Sequence, residues 1–157
     1  MHGENPKMTT TSRNKDNLKA ILKTATDLHG HFGPFLILGV RMGLLGLQKL
    51  GVKSGDPRLH ANVMLEYVAP ISCILDGIQT TTKCTVGNTR LTWKESNQIS
   101  VIFQLEGSKQ RIRIRVDPAI VQELLKRLAE QASDKATREI ALEIASKPDS
   151  ELFLSEK

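Results

Sequence analysis

The residues of this chain best suited to chemistry are two histidines and two cysteines. His29 and His31 stand one residue apart in the turn-rich segment LHGHFGP, and Cys73 and Cys84 follow later in the chain. Imidazole and thiolate are the ligands that zinc and similar metals prefer, and a site uses three or four of them. These four side chains therefore suffice in number for a metal site, although spacing alone favours helix-capping polar groups and two inert, buried thiols.

Cys73 is the stronger candidate nucleophile of the two cysteines. It lies near the predicted start of a helix, just after Pro70, where backbone amides and the helix dipole lower the pKa of a thiol. With an imidazole such as that of His31 it would form a pair of nucleophile and base. A redox pair with Cys84 is a further alternative, but their separation across a helix matches no recognised redox spacing.

Two helices are predicted to flank the histidines. Apolar residues recur at three-and-four spacing over 14–28, which predicts an amphipathic helix that ends at the His-Gly-His turn. Pro34 then suits the first turn of a second helix over 35–50, stopped by Gly51. Because this second helix is apolar nearly all round, we expect it to be central.

Three glycines lie along one side of this second helix: Gly39, Gly43 and Gly46. Each costs up to about 1 kcal/mol against alanine inside a helix, so their presence indicates an unusually close neighbour. That neighbour is a packed helix or strand or, alternatively, a ligand.

The middle of the chain predicts a sheet with one further helix. Strand patterns cover 60–68, 90–94, 98–106 and 109–116, and a helical pattern covers 71–82. In the last of these strands the cations share one face and the aliphatic residues the other, which is typical of a sheet with one wet side. The cations are Lys109, Arg111, Arg113 and Arg115.

Two helices and a short tail, ELFLS, complete the chain. Asp117 and Pro118 cap the first of these helices, and SDKATREIALEIASK forms the second. Residues predicted to face inward from the first are Ile120, Val121, Leu124, Leu125 and Leu128. The order of elements predicts an α+β fold, with an antiparallel or mixed sheet packed against the central apolar helix and flanking helices.

Length and composition indicate one domain. The chain has 157 residues, 39% hydrophobic and 25% charged, which is enough for a sizeable core. We expect a disordered leader over 1–14 and a single domain over 15–157. No apolar stretch approaches the ~20 residues of a membrane span and no secretory segment is recognisable, which favours a cytoplasmic protein without a membrane partner.

The net charge of +5 permits an anionic partner without requiring one. The basic strand face is either simply solvated or a surface that docks on a larger complex. Nucleic acid is disfavoured as the partner, because aromatic residues are few and none interleave with the basic run to stack on bases.

Two separated motifs give the chain a family resemblance. LHGHFGPFLILGVRMG and CILDGIQTTTKCTVGNTRL resemble, in order, the two signatures of the FmdE family of formylmethanofuran dehydrogenase proteins. The resemblance implies an α+β domain, usually a homodimer, with a metal-binding cleft between the His-Gly-His turn and the Cys-Asp-Gln helix. It implies that this cleft holds His29, His31, Cys73, Asp76 and Gln79, and that Cys84 matches the cysteine of the second signature.

The chain departs from the family pattern within the first motif. Gly33 stands where the family commonly has a cysteine, and Phe35 where it has a glycine; Lys83 and the ending GNTRL differ in the second motif. The cysteine-rich, zinc-binding segment that some relatives carry at the C-terminus is absent. The departure at position 33 removes a soft metal ligand or nucleophile.

We therefore expect a metal-binding protein, with zinc the expected ion and His29, His31 and Cys73 around it. Asp76 would hydrogen-bond a ligating imidazole, and Gln79 and Cys84 would support the ligands or face a small-molecule substrate. Two alternatives stay open: an accessory module of a larger redox complex without chemistry of its own, and a cysteine-dependent enzyme that uses Cys73 with His31.

Overall fold

The computed structural model describes residues 10–157, with side chains from Lys15 onward. In this part of the chain the elements are α1 (Thr10–His29), α2 (Pro34–Leu50), β1 (Leu59–Leu65), α3 (Cys73–Thr82), β2 (Leu91–Glu95), β3 (Ser100–Leu105), β4 (Arg111–Val116), α4 (Pro118–Glu130), α5 (Asp134–Ser146), α6 (Asp149–Leu152) and β5 (Phe153–Glu156). The predicted leader lies outside the described residues over 1–9, whereas 10–14 already belong to α1, since no glycine or proline interrupts them.

The five strands form one open sheet in the order β2-β1-β3-β4-β5. β1 pairs parallel with β2, and the other neighbouring pairs are antiparallel. In β1 the buried residues Leu59, Ala61, Val63 and Leu65 alternate with more exposed ones, so one sheet face carries the core. The predicted α+β fold with a mixed sheet is confirmed.

α2 is the central helix, as its apolar sequence predicted. Eleven of its residues are buried, and it packs on α3, α5 and β4. Gly51 ends it with a left-handed φ of 66°, which is the usual role of glycine after a helix. The central helix therefore connects the helical layer to the sheet and carries the His-Gly-His turn at its N-terminus.

The glycines of α2 bring its neighbours into backbone contact. A Cβ on Gly39 would collide with the backbone of Ile74 in α3, and one on Gly43 would lie 2.7 Å from Cβ of Thr81. Reciprocally, Gly77 of α3 lies against the backbone of Leu36 in α2. A Cβ on Gly46 would likewise collide with the ring of Phe103. These glycines therefore allow close packing against neighbouring elements, and they do not line a ligand-binding site.

A partly buried arginine joins α2 to the end of α5. Nη1 of Arg41 donates to the carbonyl oxygens of Ile144 and Ala145 at 2.8 and 3.2 Å, and Nη2 donates to Asp149 at 2.8 Å. Carbonyls at the end of a helix lack partners within the helix. The guanidinium of Arg41 therefore caps α5 and fixes it against α2.

One expectation about the C-terminal part of the chain was wrong. Leu125 is exposed, because α4 packs on the core through the buried Leu124 and the partly buried Val121 and Leu128, which leaves Leu125 to one side. The short tail, for which no element was predicted, forms the end of α6 and then β5, whose Leu154 pairs with Arg115 of β4. A four-residue strand is too short to show a pattern and owes its conformation to this pairing.

Candidate functional site

A sharp turn between α1 and α2 brings the two histidine rings together. His29 is the last residue of α1, and Gly30 follows with a φ of 99°, a left-handed conformation that glycine adopts at little cost. The chain then reverses, so that the rings of His29 and His31 lie 4.7 Å apart between centroids with an interplanar angle of 37°. The sequence did not determine whether these two side chains point the same way. The turn places their rings side by side.

The ring of His29 is held by a carboxylate from α3. Its Nδ1 lies 2.6 Å from Oδ2 of Asp76, and only 13% of the His29 side chain is exposed. Oδ1 of the same carboxylate accepts from Nε2 of Gln79 at 3.3 Å. The backbone N–H of Val86 donates to Oε1 of Gln79 at 3.1 Å, which fixes which end of the amide faces Asp76.

This chain of hydrogen bonds determines the tautomer of the neutral imidazole. Both oxygens of Asp76 act as acceptors, so Nδ1 of His29 carries the proton and Nε2 carries the lone pair. Nε2 of His29 is buried and has no hydrogen-bond partner among the described residues. A buried lone pair without a protein partner is unusual, and a water molecule, a ligand or an ion would satisfy it.

His31 and Cys73 face a common cavity of about 200 Å³. Most of its walls are apolar, and the polar side chains that reach it are few. The full lining consists of His31, Gly33, Pro34, Phe35, Leu36, Pro70, Cys73, Leu128 and Thr137. A second cavity of about 250 Å³, between the segment that precedes β3, strands β4 and β5, and the start of α4, contains none of the predicted histidines or cysteines.

Cys73 is the first residue of α3, close to the helix start predicted at 71, but its thiol is not activated there. Burial raises the pKa of the Cys73 thiol, the carboxylate of Asp76 raises it further, and the backbone hydrogen bond at the helix start lowers it too little to compensate. The expectation of a lowered pKa was therefore wrong. The sequence indicated the effect of the helix dipole on this thiol, but it did not reveal the burial of Cys73 or the proximity of the Asp76 carboxylate.

Cys84 lies apart from the histidines, in the core beneath β1. It is 1% exposed, and its Sγ–H donates to the carbonyl oxygen of Leu59 at 3.3 Å. Burial raises the pKa of this thiol as well. Both cysteines are free thiols, and Cys84 is a packing residue rather than a neighbour of His29 and His31.

The donor set meets the needs of a transition metal in part. Within the part of the chain that the structure describes, no three His, Cys, Asp or Glu side chains converge in a geometry ready to hold an ion. Two imidazoles in contact, one of them with an unpartnered buried nitrogen, nevertheless fit the nitrogen donors that zinc prefers. These two imidazoles are therefore the candidate ligands at this turn.

Several residues of the site carry no signal in the sequence. The link from Gln79 to the backbone of Val86 depends on how the loop after α3 folds back. Leu128 and Thr137 reach the cavity from α4 and α5, far along the chain. Only the tertiary packing of these helices brings them to the histidines.

The family model described as FmdE, Molybdenum formylmethanofuran dehydrogenase operon, matches residues 28–154. The chain belongs to this family. Its α+β fold, its two motifs and the contact between the His-Gly-His turn and α3 thus occur in an FmdE protein. The resemblance seen in the motifs is confirmed.

Two similar proteins extend this finding. A crystal structure of a tungsten formylmethanofuran dehydrogenase FmdE-like protein from Syntrophus aciditrophicus superposes with a TM-score of 0.57 at 16% identity, over 88% of this chain and 70% of that one. A curated relative from Archaeoglobus fulgidus, named "Probable S-adenosyl-L-methionine-binding protein", is 30% identical over 105 residues. This match covers 66% of the present chain and 29% of that relative.

No helix among the described residues is long and apolar enough to cross a membrane. Four expectations stay predictions: the cytoplasmic location, the homodimer, the docking partner and the bounds of the single domain.

Proposed function

We propose that this FmdE protein binds a divalent transition metal, zinc in the first instance, through His29 and His31. The observation that carries the proposal is the buried, unpartnered Nε2 of His29 behind a carboxylate that holds Nδ1. A ligating histidine almost always donates its other ring nitrogen to a carboxylate, carbonyl or water, which sets its orientation and raises its basicity. Asp76 stands in that relation to His29.

His31 supplies the second nitrogen, because its ring lies against that of His29. Cys73 faces the same cavity as His31 and is the third candidate ligand. Since burial and Asp76 raise the pKa of its thiol, Cys73 must lose a proton before it binds metal, and its contribution increases with pH.

A site with two or three protein ligands leaves coordination positions open. When bound, the ion supplies Lewis acidity to a molecule that fills these positions. The residues of this chain orient the ligands: Asp76 and Gln79 hold the ring of His29, whereas His31 is exposed to solvent.

The alternative of a cysteine nucleophile finds less support. The raised pKa of Cys73 keeps its thiol protonated at neutral pH, and no hydrogen bond joins it to His31 among the described residues. A thiol without a base at hydrogen-bond distance lacks the pairing that activates such nucleophiles.

Metal titration of the protein, purified without a nickel column or histidine tag, tests the proposal. Cobalt(II) reports its own ligands by absorption, so we expect one bound ion per chain, lost in both His29→Ala and His31→Ala. His60→Ala is the matched control, because His60 pairs with Glu106 on the sheet, away from the site. Wild-type protein that binds no ion, or His31→Ala that binds as tightly as the wild type, would contradict the proposal.

A further inference from the structure

The apolar core occupies only one face of the sheet. β1, β3 and β4 direct Val63, Phe103 and Ile114 into this core, where residues of the helices pack on them. Alternate strand residues point the opposite way. They are the even-numbered residues of β1, β2, β3 and β5 and the odd-numbered residues of β4, and we call this side of the sheet the outer face. None of them belongs to the apolar clusters of the described residues, so the outer face is left without a helical layer.

The outer face has an uncharged floor with cations along both of its sides. Met64 of β1 is paired with Lys94 of β2 on one side and with Ser100 of β3 on the other, and Ser100 is paired with Arg115 of β4. Lys94 and Arg115 are therefore three strands apart, which is about 14 Å at the usual strand spacing. The outer-face residues of β1 and β3 form the floor between them and include no Asp, Glu, Lys or Arg.

Cations outnumber acids on this face. Three arginines of β4 and Lys94 of β2 stand with one acid, Glu156, which pairs with Arg115 at 3.0 Å. Glu106, just beyond β3, pairs with His60. The other two arginines of β4 and Lys94 form no ion pair among the described residues. This excess of positive charge favours an acidic partner and disfavours a second copy of the chain, since two outer faces would bring arginine against arginine.

A cavity adjoins the outer face at the end of β4. It is the cavity of about 250 Å³ described above, and Arg115 and Leu154 of the outer face belong to its wall. Ile99, Val116 and Val121 make much of the remaining wall apolar. Its volume is several times the about 30 Å³ of a water molecule, so it accommodates one large apolar side chain. A side chain buried in such a pocket is the usual anchor of a protein–protein interface.

These features favour a helix as the bound segment. A helix is about 10–12 Å across with its side chains, which fits the floor between the cations, and amphipathic helices recur as ligands of such grooves. Nucleic acid would need aromatic residues for stacking, but the Trp and Phe residues of the five described strands all point to the core side. A lipid surface would need protruding apolar side chains, whereas Met64 and Ile102 are half-buried.

We propose that the outer face is a docking surface for an acidic amphipathic helix of another protein. The apolar stripe of the helix lies on the floor, and its acidic residues meet Lys94 and the arginines of β4. An aromatic side chain near the end of the helix enters the cavity beside Arg115 and Leu154. The surface shares no residue with the histidine site, so its test is independent of the proposed function.

Binding of a synthetic helical peptide tests the inference. The probe is a fluorescein-labelled peptide with a Leu stripe, Glu along both flanks and one Phe near its end. At about 15 residues such a helix is about 22 Å long, and the six residues of β4 span about 20 Å. We expect saturable binding, measured by fluorescence anisotropy at low salt. A scrambled peptide of the same composition, which has no continuous apolar stripe, should bind about tenfold more weakly.

Charge reversal on β4 locates the peptide on the outer face. The double variant Arg111→Glu/Arg113→Glu replaces two attractive charges by repulsive ones, so we expect the affinity for the peptide to fall about tenfold or more. Lys19→Glu/Lys53→Glu is the matched control, because it makes the same change in net charge at two exposed residues of α1 and of the turn after α2. The affinity of this control should stay within about twofold of the wild type.

Filling the cavity tests the anchor. Gln122 is an exposed residue of the cavity wall, so Gln122→Trp should obstruct the cavity and weaken binding of the peptide several-fold. Gln131→Trp, an exposed position at the other end of α4, is the control and should bind as the wild type does. Thermal unfolding of each variant verifies that it is folded.

Several results would overturn the inference. They are the absence of saturable binding, equal binding of the two peptides, and wild-type affinity in Arg111→Glu/Arg113→Glu or in Gln122→Trp. Tighter binding of oligothymidylate or of phosphatidylserine vesicles than of the peptide would assign the surface to nucleic acid or lipid instead. A dimer that dissociates in Arg111→Glu/Arg113→Glu, as measured by sedimentation, would make the outer face an interface between copies of this chain.

Discussion

Asp76 of α3 and His29 at the end of α1 are joined by a hydrogen bond of 2.6 Å across 47 residues of sequence. The bond connects the two motifs of the family: the first runs from the end of α1 into α2, and the second begins with α3. It holds the His29 ring with its unpartnered nitrogen toward the interior. The family signature therefore corresponds to one physical contact.

Asp76→Asn should weaken metal binding without abolishing it. The asparagine oxygen still accepts from His29, but the negative charge that raises the basicity of the imidazole is lost. We expect an affinity for cobalt about 10- to 100-fold lower, measured by titration. Asp27→Asn, which removes an exposed carboxylate paired with Lys23, is the control. Equal affinities of Asp76→Asn and the wild type would refute the role of the carboxylate.

Gly77→Ala should destabilise the fold severely. Its new Cβ would collide with the backbone of Leu36 and Val40, and backbone cannot move aside as a flexible side chain does. Overpacking typically costs about 1–3 kcal/mol, and contact with rigid backbone puts this variant at or above the upper end. Urea unfolding measures the loss.

Gly87→Ala provides the comparison, because it makes the same chemical change where the new Cβ would meet only Oγ1 of Thr85, at 3.9 Å. Its free energy of unfolding should stay within about 0.5 kcal/mol of the wild type. If the free energy of unfolding falls no more in Gly77→Ala than in Gly87→Ala, α2 and α3 can move apart at little energetic cost and the prediction is wrong.

Cys73 should be a slow thiol at neutral pH. Burial and the charge of Asp76 both raise its pKa, so alkylation by iodoacetamide should be slower than that of an ordinary thiol at pH 7 and should accelerate at alkaline pH. Asp76→Asn removes one of the two causes and should increase the rate. Mass spectrometry of the modified peptide measures it, and fast labelling at pH 6 would refute the prediction.

The same raised pKa makes stability depend on alkaline pH. The folded chain holds the Cys73 proton more tightly than the unfolded chain does, so the contribution is complete below the unfolded pKa of about 8.5. It is lost as the pH rises through the higher folded value. Cys73→Ala should therefore lose less free energy of unfolding between pH 7 and pH 10 than the wild type, as measured in urea.

Arg41→Met should loosen α5. Methionine matches the length of the arginine stem but leaves the carbonyl oxygens of Ile144 and Ala145 without their donor, and Asp149 without its cation. Hydrogen bonds to charged groups contribute about 1.5–3 kcal/mol, and we expect a loss in this range. Arg58→Met, on an exposed turn, is the control. Equal urea midpoints for the two variants would contradict the capping role.

The elements that the sequence predicted well are those with long patterns. The bounds of α2 follow from Pro34 at its start and Gly51 at its end, and its central position follows from its apolar sequence. The close packing of Gly39 follows from the cost of glycine inside a helix. β5 escaped prediction because four residues show no period and depend on β4 for their pairing.

The site was predicted only in part, because some of its properties also depend on tertiary packing. Residue types drew attention to His29 and His31, and the family motif added Asp76, but the pKa of Cys73 depends on burial that a sequence does not display. Cys84 was grouped with the site by its motif position, whereas the fold directs it into the core. A motif specifies residue types and their order along the chain. It does not specify which of these side chains are in contact in the fold.

The reciprocal glycine contacts between α2 and α3 give the two halves of the site little freedom to move independently. The turn that bears His31 leads directly into α2, and Asp76 precedes Gly77 in α3. Folding has therefore already met the entropic cost of assembling these groups, so that a ligand finds a preorganised site. Amide hydrogens at the contact should accordingly exchange only on global unfolding, whether or not the site is occupied.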